Sequence, residues 1–273
     1  RDHGPFDFYT CAMCGSGITF PPPSHETLGH LYESFEGGLP KDLRKIRGEA
    51  GQSSWYLQCA RRALRELPAE HQRECSWMDV GAGAGELSVL MAELVAHGKG
   101  LAVDIHDRPN RLARFPSIEW RQINLNAKNF AERLNQKADV VLSISVLEHL
   151  PRPDLFLANL IFLVKPGGVL YLACPDFGSL ASRILKRHWP YFLPGEHLNM
   201  PTVRGMKQAF ERALSATKRM GAHVIVQRIT LPYTLQYTLR FFRLERLADF
   251  MPSSWTFPLP AGALEAIARL PAS

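Results

Sequence analysis

Apolar residues in this chain fall into short runs that end abruptly in an acid, a hydroxyl or a glycine turn, with amphipathic stretches between them. Met78, Asp79 and Val80 form one such run, which turns through Gly81, Ala82, Gly83, Ala84 and Gly85 into Glu86 and Leu87, a strand–turn–helix pattern. Further strand-like runs occupy 100–104, ending in Asp104, then 118–123, 138–145 and 169–173. A helix is expected over 154–164, and another over 202–220 closed by Gly221. Near the start, Trp55, Cys59, Ala63 and Leu67 share one stripe of a helix that Ser53 or Ser54 caps and Pro68 stops. A sixth strand is expected over 223–228 and a seventh over 264–270. Strands alternating with helices predict an α/β fold, a doubly wound, mostly parallel sheet with ligands at the carboxyl ends of its strands.

The glycine turn is where a backbone can approach a nucleotide-like ligand closely, because glycine carries no Cβ. Its spacing is G-x-G-x-G, with Glu86 where a dinucleotide fingerprint has its late glycine. Asp79 and Glu86 disfavour an anion here and favour a ligand with a cationic end. S-adenosylmethionine has an ammonium, a sulfonium and no phosphate. Asp104 stands 23 residues after Gly81, near the roughly 20-residue offset of a carboxylate that accepts from ribose hydroxyls.

The series DVGAGAG, AVDI, DVVLSISVLEHL and LVKPGGVLYL resembles, over roughly 70–230, the class I S-adenosylmethionine-dependent methyltransferases. The segments YTCAMCG, PPP and LYESF near the start, and WPYFLPGEHL after the core, are similar to a bacterial subgroup that modifies sugars, glycolipids or secondary metabolites. The resemblance implies a seven-stranded Rossmann-like core with a small N-terminal segment. It implies a donor site at Asp79, Gly81, Ala82, Gly83 and Gly85, with Asp104 on the ribose, Ile105, Asn124 and Leu125 at the adenine, and Ser145 near the methionine end. Asn124 departs from the family, which usually has an acid there; its carbonyl can still accept from an amino group. The acceptor is expected to be a small molecule or glycan methylated in line, with a histidine as general base. His197 beside Glu196 ranks first, His149 second, and Tyr191 is a candidate acceptor contact. Asp176 is a candidate metal ligand without an evident second ligand.

Composition sets outer bounds. A hydrophobic share of 46% and a charged share of 21% fit an ordinary globular protein. No run of roughly eighteen apolar residues occurs, and the chain is expected to be cytoplasmic. Two domains are expected: a Cys/Pro/aromatic segment over 1–50, and the methyltransferase domain over 51–273 with a substrate loop at 175–200 and an amphipathic insertion at 231–263. Lys and Arg number 32 against 26 Asp and Glu. The clusters Lys41/Arg44/Lys45/Arg47, Arg183/Lys186/Arg187 and Arg240/Arg243/Arg246 lack the aromatic interleaving of a nucleic-acid groove, so no nucleic-acid partner is expected. The insertion reads first as a cover for the sheet or a dimer face, second as a peripheral membrane contact for a lipid-linked acceptor. Of five cysteines, Cys59, Cys75 and Cys174 read as packing residues, while Cys11 and Cys14 form half of a zinc site, which His3, His25 or His30 could complete. The alternatives are a nicotinamide-dependent oxidoreductase and a catalytically silent S-adenosylmethionine-binding protein.

Overall fold

The structure is a computed structural model, and it describes residues 6–24, 27–28, 55–236, 239, 244–252 and 256–272. The capping Ser53 or Ser54, His3, His25, His30, the LYESF segment, the Lys41–Arg47 cluster, Arg240 and Arg243 lie outside the described residues.

The central sheet has seven strands in the order β5-β4-β3-β6-β7-β10-β9. These are β3 (Trp77–Val80), β4 (Gly100–Asp104), β5 (Ile118–Gln122), β6 (Ala138–Ile144), β7 (Val164–Pro175), β9 (His223–Thr234) and β10 (Thr256–Arg269). The pairs β3–β4, β4–β5, β3–β6 and β6–β7 are parallel; β10 runs antiparallel to both β7 and β9. The chain leaves β3 toward β4 and β5, then crosses back to β6 on the other side. The reversal opens a crevice at the carboxyl ends of β3 and β6, where such sheets bind ligands.

The strands are buried on both faces, so their sequences look uniformly apolar rather than alternating. The pleat nevertheless sorts them. Met78, Val80, Val141, Leu170 and Leu172 face one core layer, with Phe156, Leu157, Leu160, Met206 and Phe210 from helices Pro153–Leu163 and Val203–Ala216. Trp77, Val140, Leu142, Val169 and Tyr171 face the other, with Cys59, Ala63 and Leu67 from the 55–67 segment and Leu87 and Met91 from the helix Glu86–Leu94. Cys59, Cys75 and Cys174 are buried, as packing residues should be.

The antiparallel strand is pinned by buried Glu265. Its carboxylate accepts from Arg62 Nη1 at 2.9 Å, Tyr171 Oη at 2.6 Å and Gln227 Nε2 at 2.8 Å, joining residues before the sheet to β7, β9 and β10. β9 and β10 extend well past the expected 223–228 and 264–270. Residues 231–234 and 256–263, expected inside an insertion, instead lengthen these two strands, with a register shift between Pro260 and Leu264. Prolines are tolerated in a two-stranded extension with a bulge such as this. The helix expected over 202–220 runs from Val203 to Ala216; Thr202 caps it by accepting from Gly205 N at 3.0 Å.

The N-terminal hairpin, β1 (Asp7–Thr10) and β2 (Gly17–Phe20), joins β8 (Asn199–Met200) in a second sheet of order β1-β2-β8. It is therefore bonded to the long connection after β7. Thr19 N donates to Leu198 O and Thr19 Oγ1 to His197 O, both at 2.9 Å. Phe8 packs on Phe177 and Phe192, with ring centroids 5.2 and 4.9 Å away. Among the described residues, no helix is long and apolar enough to cross a membrane.

Candidate active site

The crevice at the β3/β6 reversal is a cavity of about 410 Å³. Asp79, Gly81, Ala82, Gly83, Asp104, Ile105, Asn124, Leu125 and Ser145 all line it. These residues come from the ends of four different strands, and the topology alone brings them together.

The glycine turn is built for close approach. Gly81 has φ +83°, and a Cβ there would lie 2.2 Å from Val146 Cγ2, so the loop after β6 seats directly on it. Gly83, at φ +50°, has nothing within 4 Å of its Cβ position and leaves an open cradle. Gly85 stands back from the cavity: it caps the helix Glu86–Leu94 against Leu112, correcting the expectation of a ligand contact. The turn is tied down from Asp104, whose Oδ2 accepts from Gly83 N at 2.8 Å. Asp104 Oδ1 meets His106 N at 3.1 Å and His106 Nδ1 at 2.8 Å. One carboxylate thus positions the turn and keeps lone pairs for a diol. Asn124 Oδ1 accepts from Asn126 N at 2.9 Å, so part of its acceptor capacity closes a local turn.

Electrostatically the cavity has a dry floor. Asp79 is 1% exposed and accepts from Ser88 Oγ at 2.6 Å; burial pushes its carboxyl up to about 7. Glu86, which also lines the cavity, pairs with Arg111 at 2.9 Å, so its charge is already matched by a cation. Ser145, just past β6, sits at φ +56°, a conformation that non-glycine residues rarely adopt, with its N–H donated to Ala173 O at 2.8 Å.

At the other end of the cavity lie Glu148, His149, Tyr191 and His197. His149 and His197 are 48 positions apart in sequence, yet their rings meet edge to face, with centroids 4.7 Å apart. His149 Nδ1 bonds to Glu196 O at 3.0 Å and His197 Nδ1 to Tyr191 O at 2.7 Å. Carbonyl partners fix the tautomer that carries its proton on Nδ1. This corrects the expected role of Glu196: its side chain does not line the cavity, and its contribution is a backbone carbonyl aimed at His149. Tyr191 both lines the cavity and orients His197. Burial pushes the imidazoles down to about 4 for His149 and about 3 for His197, so both are neutral. Burial pushes the Glu148 carboxyl up to about 8, and its Oε2 has no hydrogen-bond partner among the described residues. Glu148, His149 and His197 offer ligand atoms all within 4.8 Å of one another, a set that could also hold a divalent cation.

Asp176 is fully buried against Arg228, whose Nε donates to its Oδ2 at 2.7 Å, and it lies outside this cavity. Cys11 and Cys14 sit in the β1–β2 turn, closed by Gly15 N to Cys11 O and Cys11 N to Ser16 O, each at 2.8 Å. Among the described residues no third ligand joins them. Sequence reasoning missed Tyr56, His106, Leu150 and Leu193, which also line the cavity; only His106, two residues past Asp104, carried a signal.

Residues 54–213 match a family described as a methyltransferase domain. The chain belongs to this methyltransferase family. The domain is of the class I, S-adenosylmethionine-dependent kind, with the seven-stranded, mostly parallel sheet of that core. The chain is 34% identical over 102 residues to the ubiquinone biosynthesis O-methyltransferase of Pseudomonas fluorescens, a match covering 35% of this chain and 42% of that protein. It thus spans less than half the length of the curated relative it matches. In fold it is similar to the plantazolicin methyltransferase BpumL, solved with a desmethylPZN analog and SAH, at TM-score 0.57 and 14% identity over 85% of this chain and 91% of that one. It is similar too to a methyltransferase from Thermotoga maritima, at TM-score 0.54 and 13% identity over 89% and 99% of the two chains.

Proposed function

We propose that this methyltransferase moves a methyl group from S-adenosylmethionine to a hydroxyl-bearing small molecule, of the sugar, glycolipid or secondary-metabolite kind. The observation that carries the reading is the single cavity in which a glycine cradle, Asp79 and Asp104 face two neutral, carbonyl-oriented imidazoles. The residues fit the donor. Gly83 leaves space, Asp104 has acceptor capacity for a ribose, Ile105 and Leu125 offer apolar surface, and Asp79 is a buried acid with no cation paired to it among the described residues. When bound there, S-adenosylmethionine supplies an electrophilic methyl group.

The chain's own part is alignment, exclusion of water and one proton transfer. His197 is the proposed base: with Nδ1–H given to Tyr191 O, its Nε2 lone pair is the face left to take the acceptor's proton. Glu148 lies within reach of both imidazoles, and as a protonated carboxyl it offers them a hydrogen-bond partner rather than a counter-charge. Tyr56, Tyr191, Leu150 and Leu193 form the acceptor's walls.

The test is methyl transfer to a panel of hydroxyl-bearing sugars and aromatic alcohols by the full chain and by His197→Gln. Donor affinity measured by calorimetry should stay within a few-fold of wild type while kcat drops by about 100-fold or more. An unchanged kcat in His197→Gln removes it as the base. Donor binding without turnover on any acceptor favours the silent binding protein, and binding of NAD in place of the donor overturns the assignment.

A further inference from the structure

A second and larger concavity, about 1120 Å³, lies beyond the wall of the active-site cavity. The two share the segment 191–193: Tyr191 and Leu193 face the active-site cavity, while Phe192 between them faces the groove. Six cationic side chains line the groove, Arg183, Lys186, Arg187, Arg204, Lys207 and Arg228, and among the described residues no Asp or Glu does. Arg228 is committed to Asp176 and to Gly178 O at 2.7 and 2.8 Å. Among the described residues, none of the other five pairs with a carboxylate. The chain as a whole carries a net charge of +6.

That arrangement works against the fold. Arg204 stands in the first turn of the helix Val203–Ala216, which has no acid there, and Lys207 follows at i+3. A cation at a helix N-terminus opposes the macrodipole, and like charges at i, i+3 repel. The same turn presents backbone N–H groups that have no intrahelical partner. Across the groove, Arg183, Lys186 and Arg187 add three more cations. The conflict at Arg204 and Lys207 is of the kind found at functional sites, and an anion with several oxygens would offset it. Phosphate esters fit better than a nucleic-acid strand. The aromatic rings at the groove, Phe177 and Phe192, are both engaged with Phe8, at 5.2 and 4.9 Å between centroids, instead of standing free for base stacking.

We propose that this groove binds the phosphate or diphosphate group of the acceptor, whose reacting end enters the neighbouring cavity; the occupant's identity as acceptor rests on the methyl-transfer reading, the anion site does not. The cations hold the phosphate oxygens by charge-assisted hydrogen bonds, and the rim at 191–193 sets the distance to the methylated atom.

The test titrates the full chain with inorganic pyrophosphate, floats it with phosphatidylglycerol or phosphatidylcholine vesicles, and titrates it with S-adenosylmethionine in parallel. The charge-reversed double variant R204E/K207E carries the prediction, and R73E, outside the groove, is the control. Pyrophosphate should bind, weaken with added salt, and lose about tenfold or more in affinity in R204E/K207E but not in R73E. Binding only to phosphatidylglycerol vesicles, lost in the same variant, supports the site with a lipid-borne phosphate as its source. Failure of wild type to bind either probe, equal binding by the double variant, or binding of an oligonucleotide alone overturns the groove. Donor binding without pyrophosphate binding sinks the groove and leaves the methyltransferase reading; the reverse result sinks that reading and leaves the anion site.

Discussion

Glu148→Gln isolates the clearest electrostatic feature of the site. The Glu148 side chain is 1% exposed and its Oε2 has no partner among the described residues. Burial raises its pKa from 4.5 to about 8. The folded chain therefore keeps a proton there that the unfolded chain releases above pH 4.5, and stability falls as pH rises through the window between the two values. From those values, the penalty grows by about 2.5 kcal/mol between pH 5 and pH 7. Glutamine keeps the shape and has no proton to lose. Its amide adds donors that need partners, an offset of about 1–3 kcal/mol that does not depend on pH. The pH dependence of the difference is thus the readable quantity. In urea unfolding with a chelator present, the stability of Glu148→Gln minus that of wild type should rise by about 2.5 kcal/mol from pH 5 to pH 7, with unchanged m. Parallel curves for the two proteins would mean that Glu148 is solvated or paired, and the desolvated floor inferred for the acceptor end of the cavity would be wrong.

Three further outcomes follow from the donor end. Gly81→Ala should cost about 3 kcal/mol or more in denaturant unfolding, because its Cβ meets Val146 Cγ2 at 2.2 Å. Gly83→Ala, with nothing within 4 Å, should cost only about 1–2 kcal/mol for its positive φ; equal losses would show that steric fit at Val146 does not set the turn. Asp104→Asn should weaken S-adenosylmethionine binding by about 10–100-fold in calorimetry and speed amide exchange at Gly83, whose N–H it holds at 2.8 Å; wild-type affinity would remove Asp104 from the donor site. Donor affinity should rise with pH up to about 7, because a cationic ligand favours ionised Asp79 and binding below that pH releases its proton. Titration enthalpies independent of buffer ionisation at pH 6 would contradict this.

What the sequence determined by itself was local. The turn Gly81–Gly85, the acid at 104 and the apolar run before Ser145 are contiguous signals, and each strand end could be read where it stood. Parallel topology then carries such ends to one crevice, so the gathering of these residues in one cavity was legible from motif order. The tertiary structure decided whatever depended on residues distant in sequence. His149 and His197 meet at 4.7 Å only because the loop after β7 folds back over the end of β6, and Leu198 N bonds to Glu148 O at 2.7 Å to hold it there. The neighbouring carboxylate of Glu196 suggested a side-chain partner for His197; backbone geometry gave that role to the Tyr191 carbonyl. β10 extends beyond 264–270 because its first half is held by pairing with β9, which exists only once both strands are in place. The cations of the groove come from the 183–187 stretch, from 204 and 207, and from β9. No window of sequence shows them together, since a charge density is a property of a surface and surfaces form only when the chain has packed.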